Sequence, residues 1–517
     1  MYRDFADIPT GSGYAVDREC DTVSEKTPLS ASLADNLILL RERFGISADL
    51  VIREVRVAGY DAALISIEGM VDRHMMANAV ILPLMRMQEG YPDAKTLMRE
   101  IRENVLGFVD LLEAKTAEEL IELIISGFAA ILIDGIGTAS LGGLQAFMIR
   151  GVSEPSTEVS VRGSREGFTE AIRVNVSMVR RRLKTPQLTF EMTSVGTESR
   201  TAVCLCYMRD RVSQRLLRDV RRRLRHCTLD MVLDSGYIQP FLEGKRRSVF
   251  TGVDTTERPD TLCGKIAEGR IGVLVDGTPF ALVTPYLFSE HFQSMDDYTQ
   301  HPLYASFIRM IKYVSFFVSL LLPGLYVAVG THHPEMLPSV FLLSFINSDR
   351  STPFSLTVEA LLIHFVFEIM REAGLRFPKS VGHAVSIVGA LVIGESAVRA
   401  GLVSAPMVIV VALTSISAFV IPSLYGSIAT LRFVFIVLGG TFGIYGVALG
   451  TLLLVISVCS LNIRGIPITA PISPFSLKAM RDVFIRSDWR VLSRKRFLVQ
   501  NVVGSRIAEG EEEQPNA

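Results

Sequence analysis

The chain has 517 residues, with 53 Lys and Arg against 54 Asp and Glu, for a formal net charge of −1. That balance offers no global basic field for nucleic acid, and no nucleic-acid partner is expected. Hydrophobic residues make up 49% of the chain and the mean hydropathy is +0.34, high for a soluble enzyme, yet 21% of residues are charged. Nearly all of those charges lie before Tyr313 or after Ser476, so one chain reads as two regions suited to two solvents.

Residues 1–36 are polar and carry Arg3, Asp4, Asp7, Asp17, Arg18 and Glu19, without an apolar core ahead of a small-residue cleavage site. A disordered N-terminal segment that is not a secretory signal is expected there. Two soluble α/β subdomains should follow, over 37–150 and, with a linker block, over 151–305. Their likeness is legible as an internal repeat. Gly127–Gly135 (GFAAILIDG) aligns without gaps to Gly269–Gly277 (GRIGVLVDG), each an apolar run closed by Asp-Gly and preceded by a helical pattern, Glu118 to Ile125 and Asp260 to Ala267. Farther upstream, Ala62–Ile67 and Thr201–Cys206 read as a second matching pair of strands. Strand, helix, helix, strand and hairpin in that order predict a small mixed sheet with helices against it.

Chemistry is sparse in these subdomains. No Gly-rich phosphate loop, Gly-x-Ser-x-Gly elbow or His pair at metal spacing occurs, so neither an enzyme nor a cofactor or metal site is expected. Asp134 and Asp276 read as turn formers. The cysteines, Cys20, Cys204, Cys206, Cys227, Cys263 and Cys459, lack zinc spacing and read as free thiols. Arg215, Arg218, Arg221 to Arg223 and Arg225 fall on a helix beginning near Asp210; a solvated face is the simpler reading, a surface for a partner or lipid headgroups the functional one.

A helical transmembrane domain is expected over 306–475. Tyr313–Val329, Val381–Ala400 and Val403–Pro422 each have the length of a membrane crossing. Phe433–Leu461 is longer and holds Gly439, Gly440, Gly443, Gly446 and Gly450; one tilted helix with a small-residue face fits, and so does a hairpin of broken helices. A helix over Ser355–Ala373 carries Glu359, His364, Glu368, Arg371 and Glu372, and either crosses with a polar inner face or lies at the interface. Arg309 and Lys312 before the first span, and the basic tail over 476–517 with its acidic end, place both termini in the cytoplasm and make the number of crossings even. Glu395 and Arg399, four apart in an apolar segment, are candidate pore or intramembrane polar residues together with Glu368, Arg371 and Glu372, although charge pairs that glue helices or snorkel are the simpler reading. Pro323 and Gly324 are candidate hinges.

Several ordered blocks resemble one family. They are SEPSTEVSVRGSREGFTEAIRVNVSMVRRRLKTPQL from Ser153, TERPD from Thr256, EGRIGVLVDGTPFAL from Glu268 and FEIMREAGLRFPKSVGHAVSIVGALVIGESAVRAGLVS from Phe367. The chain is similar from about Gly151 to Pro474, and more loosely upstream, to the GerA family of spore germinant receptor A subunits. Glu395 and Arg399 depart from it, standing where uncharged or variable polar residues are expected. The resemblance implies a multi-pass protein of the bacterial spore inner membrane, acting with a transporter-like B subunit that senses nutrient and a C-subunit lipoprotein. It further implies a homo-oligomer of A subunits forming a nutrient-gated channel for monovalent cations, in contact with membrane lipid. A non-conducting scaffold associated with the spore's dipicolinate channel is the alternative. A secondary transporter is a further one, although the spans show no internal repeat.

Overall fold

The computed structural model describes residues 27–108, 110–146, 155, 158, 162–243, 248–339, 342, 352–376, 394–477, 479–493 and 497–507. Two compact units divide the chain. One holds Asp49–Phe147 with Lys184–Pro186 and the chain up to Gly45; the other holds Ile46–Ala48, Met148–Leu183 and Gln187–Ala517.

In the first unit, helix α1 (Leu33–Phe44) is started by Ser32, whose hydroxyl accepts from the Asp35 amide, and is ended by Gly45 at φ 62°. Strands β1 (Leu50–Val57) and β2 (Tyr60–Ile67) form a hairpin whose two turn residues, Ala58 and Gly59, both have positive φ, the turn that matches strand twist. Strands β3 (Leu111–Ala114), β4 (Phe128–Ile133) and β5 (Ala139–Gly143) complete a sheet of order β1-β2-β4-β5-β3. The run Ala62–Ile67, apolar but for Ser66, is buried on both faces: α1 and α2 (Ala117–Ile125) cover one, and a second apolar cluster with Val80, Leu97 and Ile101 covers the other. Every pairing is antiparallel, which corrects the expected mixed sheet. The chain between β2 and β4 contains the extra edge strand β3, so it returns to the end where β2 finished, and β4 runs back beside it.

The second unit repeats this plan. Helix α3 (Ile172–Arg182) precedes β6 (Leu188–Val195) and β7 (Thr201–Met208), then come α4 (Gln214–Arg225), α5 (Ser235–Glu243), β8 (Asp254–Thr256), α6 (Pro259–Ala267), β9 (Ile271–Val275) and β10 (Ala281–Thr284). The sheet order is β6-β7-β9-β10-β8, again antiparallel throughout. The likeness reaches single atoms. Asp134 Oδ1 accepts from the Leu33 amide at 2.9 Å, and Asp276 Oδ1 from the Ile172 amide at 3.1 Å. Asn36 brackets the backbone of Ser30, and Asn175 that of Thr169, each accepting from the amide and donating to the carbonyl. Both aspartates therefore turn the chain and also satisfy the first free N–H of a helix.

The same unit continues into helices α7 (Pro302–His332), α8 (Leu356–Arg376), α9 (Ala405–Phe419) and α10 (Tyr425–Ser460). Two stretches, Pro302–His332 and Pro422–Ser460, are long and apolar enough to cross a membrane. Within α10, Gly443 sits at φ 61°, ψ −147°, a conformation essentially confined to glycine. The chain doubles back there. A Cβ on Gly450 would meet Leu438 at 2.7 Å and Phe435 at 3.0 Å, whereas a straight helix would separate those positions by roughly 18 and 22 Å. The long apolar stretch is thus the hairpin of broken helices, with arms 425–442 and 444–460. Most of the expected span Val381–Ala400 lies outside the described residues; 394–399 is helical.

Candidate functional site

Helix α8 carries His364, Glu368 and Arg371 at spacings of four and three, which bring them to one face. Opposite stand Tyr425 and Arg432, two turns apart on the first arm of α10. The Tyr425 hydroxyl donates to Glu368 at 2.8 and 3.0 Å, and Arg371 Nε donates to Glu368 Oε2 at 3.0 Å while its guanidinium lies 4.1 Å from the Tyr425 ring centroid. Arg432 is 1% exposed; its Nη1 lies 3.5 Å from His364 Nδ1 and 3.9 Å from Glu368 Oε1. Elsewhere on α8, nearer its start, Glu359 Oε1 accepts from both the amide and the hydroxyl of Ser404, each at 2.7 Å.

Arg432 also donates Nε to the Ser319 carbonyl at 3.1 Å. That carbonyl would ordinarily accept from the residue four positions on, which is Pro323 and has no N–H. A buried guanidinium therefore fills the bond that the proline removes, and it joins α7, α8 and α10 at one point. Next to it the helices approach through glycine: a Cβ on Gly439 would lie 2.3 Å from the Gly324 carbonyl oxygen, and one on Gly324 would lie 2.7 Å from that of Phe435.

The expected site residues separate into two groups. Pro323, Gly324, Glu368 and Arg371 meet at this joint. Glu372 instead pairs with Arg376 at 2.7 Å on an exposed surface, and Glu395 with Arg399 at 2.5 Å, their side chains 54% and 79% exposed. Arg432 escaped the sequence reading because it stands one position before the apolar stretch begun at Phe433. The available signal was its isolation, since no other Asp, Glu, Lys or Arg occurs between Arg399 and Arg464.

A second polar joint lies where the sheet of the second unit meets α7. Arg270, fully buried, donates Nη2 to Glu290 Oε1 at 2.5 Å and Nε to the Pro285 carbonyl at 3.1 Å, and it also pairs with Glu268. Burial opposes the Glu290 charge, but Arg270 and Lys265 outweigh it and hold the carboxyl below its ordinary range. Burial pushes the neighbouring His291 down to about 4, with Nδ1 3.0 Å from the Ser423 hydroxyl. Arg309, near the start of α7, bonds Asp297 at 2.7 Å and Asp482 at 2.8 Å. Among the described residues no His, Cys, Asp and Glu cluster could hold a metal ion.

Two antiparallel α/β subdomains of one plan, the second leading through buried ion pairs into membrane-length apolar helices, define the class of protein. Residues 39–497 match the family described as Bacillus/Clostridium GerA spore germination protein, and the chain belongs to that family. It is 39% identical over 466 residues to spore germination protein KA of Bacillus subtilis (strain 168), covering 89% of this chain and 85% of that protein. It is 37% identical over 476 residues to the uncharacterized membrane protein YfkQ of the same organism, covering 91% and 92%. The N-terminal domain of the A subunit of the Bacillus megaterium spore germinant receptor GerK3, solved by crystallography, is 30% identical; the match covers 51% of this chain and 98% of that domain, with a TM-score of 0.40.

Proposed function

We propose that this chain is an A subunit of a nutrient germinant receptor in the spore inner membrane. Copies of it assemble into a cation channel that a nutrient-sensing B subunit opens, with a C-subunit lipoprotein in the complex. The observation that carries this reading is the Pro323–Arg432–Glu368 joint, because an ionisable residue buried among membrane-length helices is costly and marks functional sites. Its geometry also supports multiple crossings. Thr357 lies against Gly440 and Glu368 against Tyr425, so α8 runs antiparallel to the first arm of α10, while Glu359 meets Ser404 just before α9. The chain between α8 and α9 thus begins and ends at opposite ends of α8. With the span expected from the sequence at Val381–Ala400, the crossings number six, an even count that leaves both termini on the cytoplasmic side.

In this mechanism the B subunit binds the open arrangement more tightly than the closed one, which is what shifts the equilibrium. The joint is the element that changes: Arg432 either completes the proline-broken turn of α7 or releases it. Glu395, Arg399, Arg371 and Glu372 are further candidates for the ion path.

The test is potassium and sodium flux from liposomes holding the chain with its B and C partners. Pro323→Ala restores the missing N–H and makes Arg432 redundant as its substitute, so nutrient-triggered flux should fall about tenfold with assembly intact. Arg432→Gln should alter flux as well. An assembled, nutrient-binding complex that leaks neither ion sinks the channel reading. It would leave the same buried pairs as glue in a non-conducting scaffold.

A further inference from the structure

After the second arm of α10 the chain turns through a short hairpin, β11 (Asn462–Ile463) and β12 (Ile466–Pro467), against the second sheet. Arg464 and Gly465 form its turn with φ 54° and 92°. Arginine rarely adopts such a backbone, and here its side chain is held by Asp219 at 3.0 Å, the Leu242 carbonyl at 2.6 Å and the Thr284 hydroxyl. Beside it opens a cavity of about 490 Å³, lined among others by Arg223, Arg464, Arg506, Glu243, Ser460 and Asn462.

The cavity has an excess of positive charge. Asp219 is shared by Arg222, Arg223 and Arg464, while Glu243 already accepts from Gln239 and Thr251, and Arg506 adds a further exposed guanidinium. Arg464, its side chain 3% exposed, is held down to about 10 by burial and then by the like charge of Arg223, against the pull of Asp219. An anion entering the cavity would relieve that repulsion.

Above the cavity the surface changes character. Ser460 lines the cavity, and Ile456, Leu453, Leu452 and Leu449 stand four, seven, eight and eleven positions before it, on the same helix face. All four are more than half exposed and form an apolar strip about 16 Å long rising from the arginines. A free anion needs no such strip.

We propose that this cavity binds the phosphate-bearing headgroup of an anionic phospholipid, with one acyl chain lying along Ile456, Leu453, Leu452 and Leu449. The assignment rests on the reading that α10 crosses the membrane, and it deepens that reading by naming a ligand. Guanidinium forks match phosphate oxygens, and each arginine near an anionic lipid surface adds to the attraction. Because Arg464 joins the exit of α10 to Asp219 of α4 and Thr284 of the second sheet, the lipid would sit at the link between the second α/β subdomain and the helices.

The test uses the full chain in phosphatidylcholine vesicles with or without phosphatidylglycerol, and a photoactivatable phosphatidylglycerol probe mapped by peptide. Resistance to alkaline extraction is measured first, and a chain that washes off overturns the membrane reading and this assignment together. In an inserted chain, label should concentrate on 449–464 and fall about tenfold in Arg223→Gln/Arg506→Gln. Should the double variant fail to fold, Arg506→Glu, at an exposed position, should still reduce labelling about fivefold. Equal labelling by a phosphatidylcholine probe, or labelling unchanged in the variants, overturns the proposal. Labelling abolished by inorganic phosphate would assign the cavity to free anions and overturn the lipid.

Discussion

The two α/β subdomains share strand order, antiparallel pairing and the aspartate that caps the first helix, yet they differ at one aligned position with large consequences. Where the first copy starts β4 with Phe128, packed on the cluster formed with α1 and α2, the second places Arg270 just before β9. Arg270 is as deeply buried as any apolar residue of that sheet, and its guanidinium reaches Glu290 in the segment that leads to α7. From Glu290 an aromatic run continues: Phe292 stacks on Tyr313 at 3.9 Å between centroids, and Phe288 and Phe292 meet Phe316 edge-on. The frame of the duplicated domain is thus kept by hydrogen bonds from Asp and Asn side chains to backbone groups. The difference lies at the start of the strand, where one copy has a partly buried apolar residue packed on its core and the other a buried ion pair mounting the helices.

The largest effect should come from breaking that pair. Glu290→Ala takes the carboxylate from Lys265 and leaves buried Arg270 with Glu268 alone, and removing one partner of a buried pair typically costs about 3–5 kcal/mol. Thermal unfolding of the detergent-solubilised chain should shift sharply downward, whereas Phe128→Leu in the first copy, a volume change in a partly buried position, should cost on the order of 1 kcal/mol. Equal effects would erase the distinction between the copies.

Acid should separate them next. His291 is buried neutral, its folded pKa lowered from 6.5 to about 4 by burial. Between those values the unfolded chain binds the proton and the folded chain does not, so the histidine's contribution is whole above pH 6.5 and is lost as the pH falls toward 4. The stability advantage of the native chain over His291→Gln should therefore shrink by on the order of 3 kcal/mol across that window. Glu290, held low by Arg270 and Lys265, adds a loss at still lower pH as it protonates. Denaturant titrations at several pH values measure both.

What was legible in the sequence follows from the range of the interactions. Asp134-Gly135 and Asp276-Gly277 announce turns because the backbone geometry of a tight turn restricts the residues locally, and the repeat makes each a check on the other. Sheet direction was not legible, since it depends on how many times the intervening chain traverses the domain, and β3 is too short to declare itself. The Gly-rich stretch from Gly439 to Gly450 admitted a straight or a folded helix, because small residues serve close packing and sharp turns alike, and only the conformation of Gly443 separates them. Arg270 with Glu290, and Arg432 with Ser319, join residues far apart in the chain. The sequence marks each charge but carries no local signal for its partner.

The smallest predicted effect tests the shared frame. If Asp134 and Asp276 play the same part, Asp134→Ala and Asp276→Ala should each cost about 1 kcal/mol, the usual loss of a side-chain cap. Both should raise amide exchange selectively at the first turns of α1 and α3, around Leu33 and Ile172, whose N–H groups lose their acceptors. Replacement by Asn keeps an acceptor oxygen and should restore most of the protection in both copies. Unequal costs at these two positions would mean that the mount beneath the helices has reached into the frame of the second copy, so that the difference between the subdomains is not confined to Arg270 and its partners.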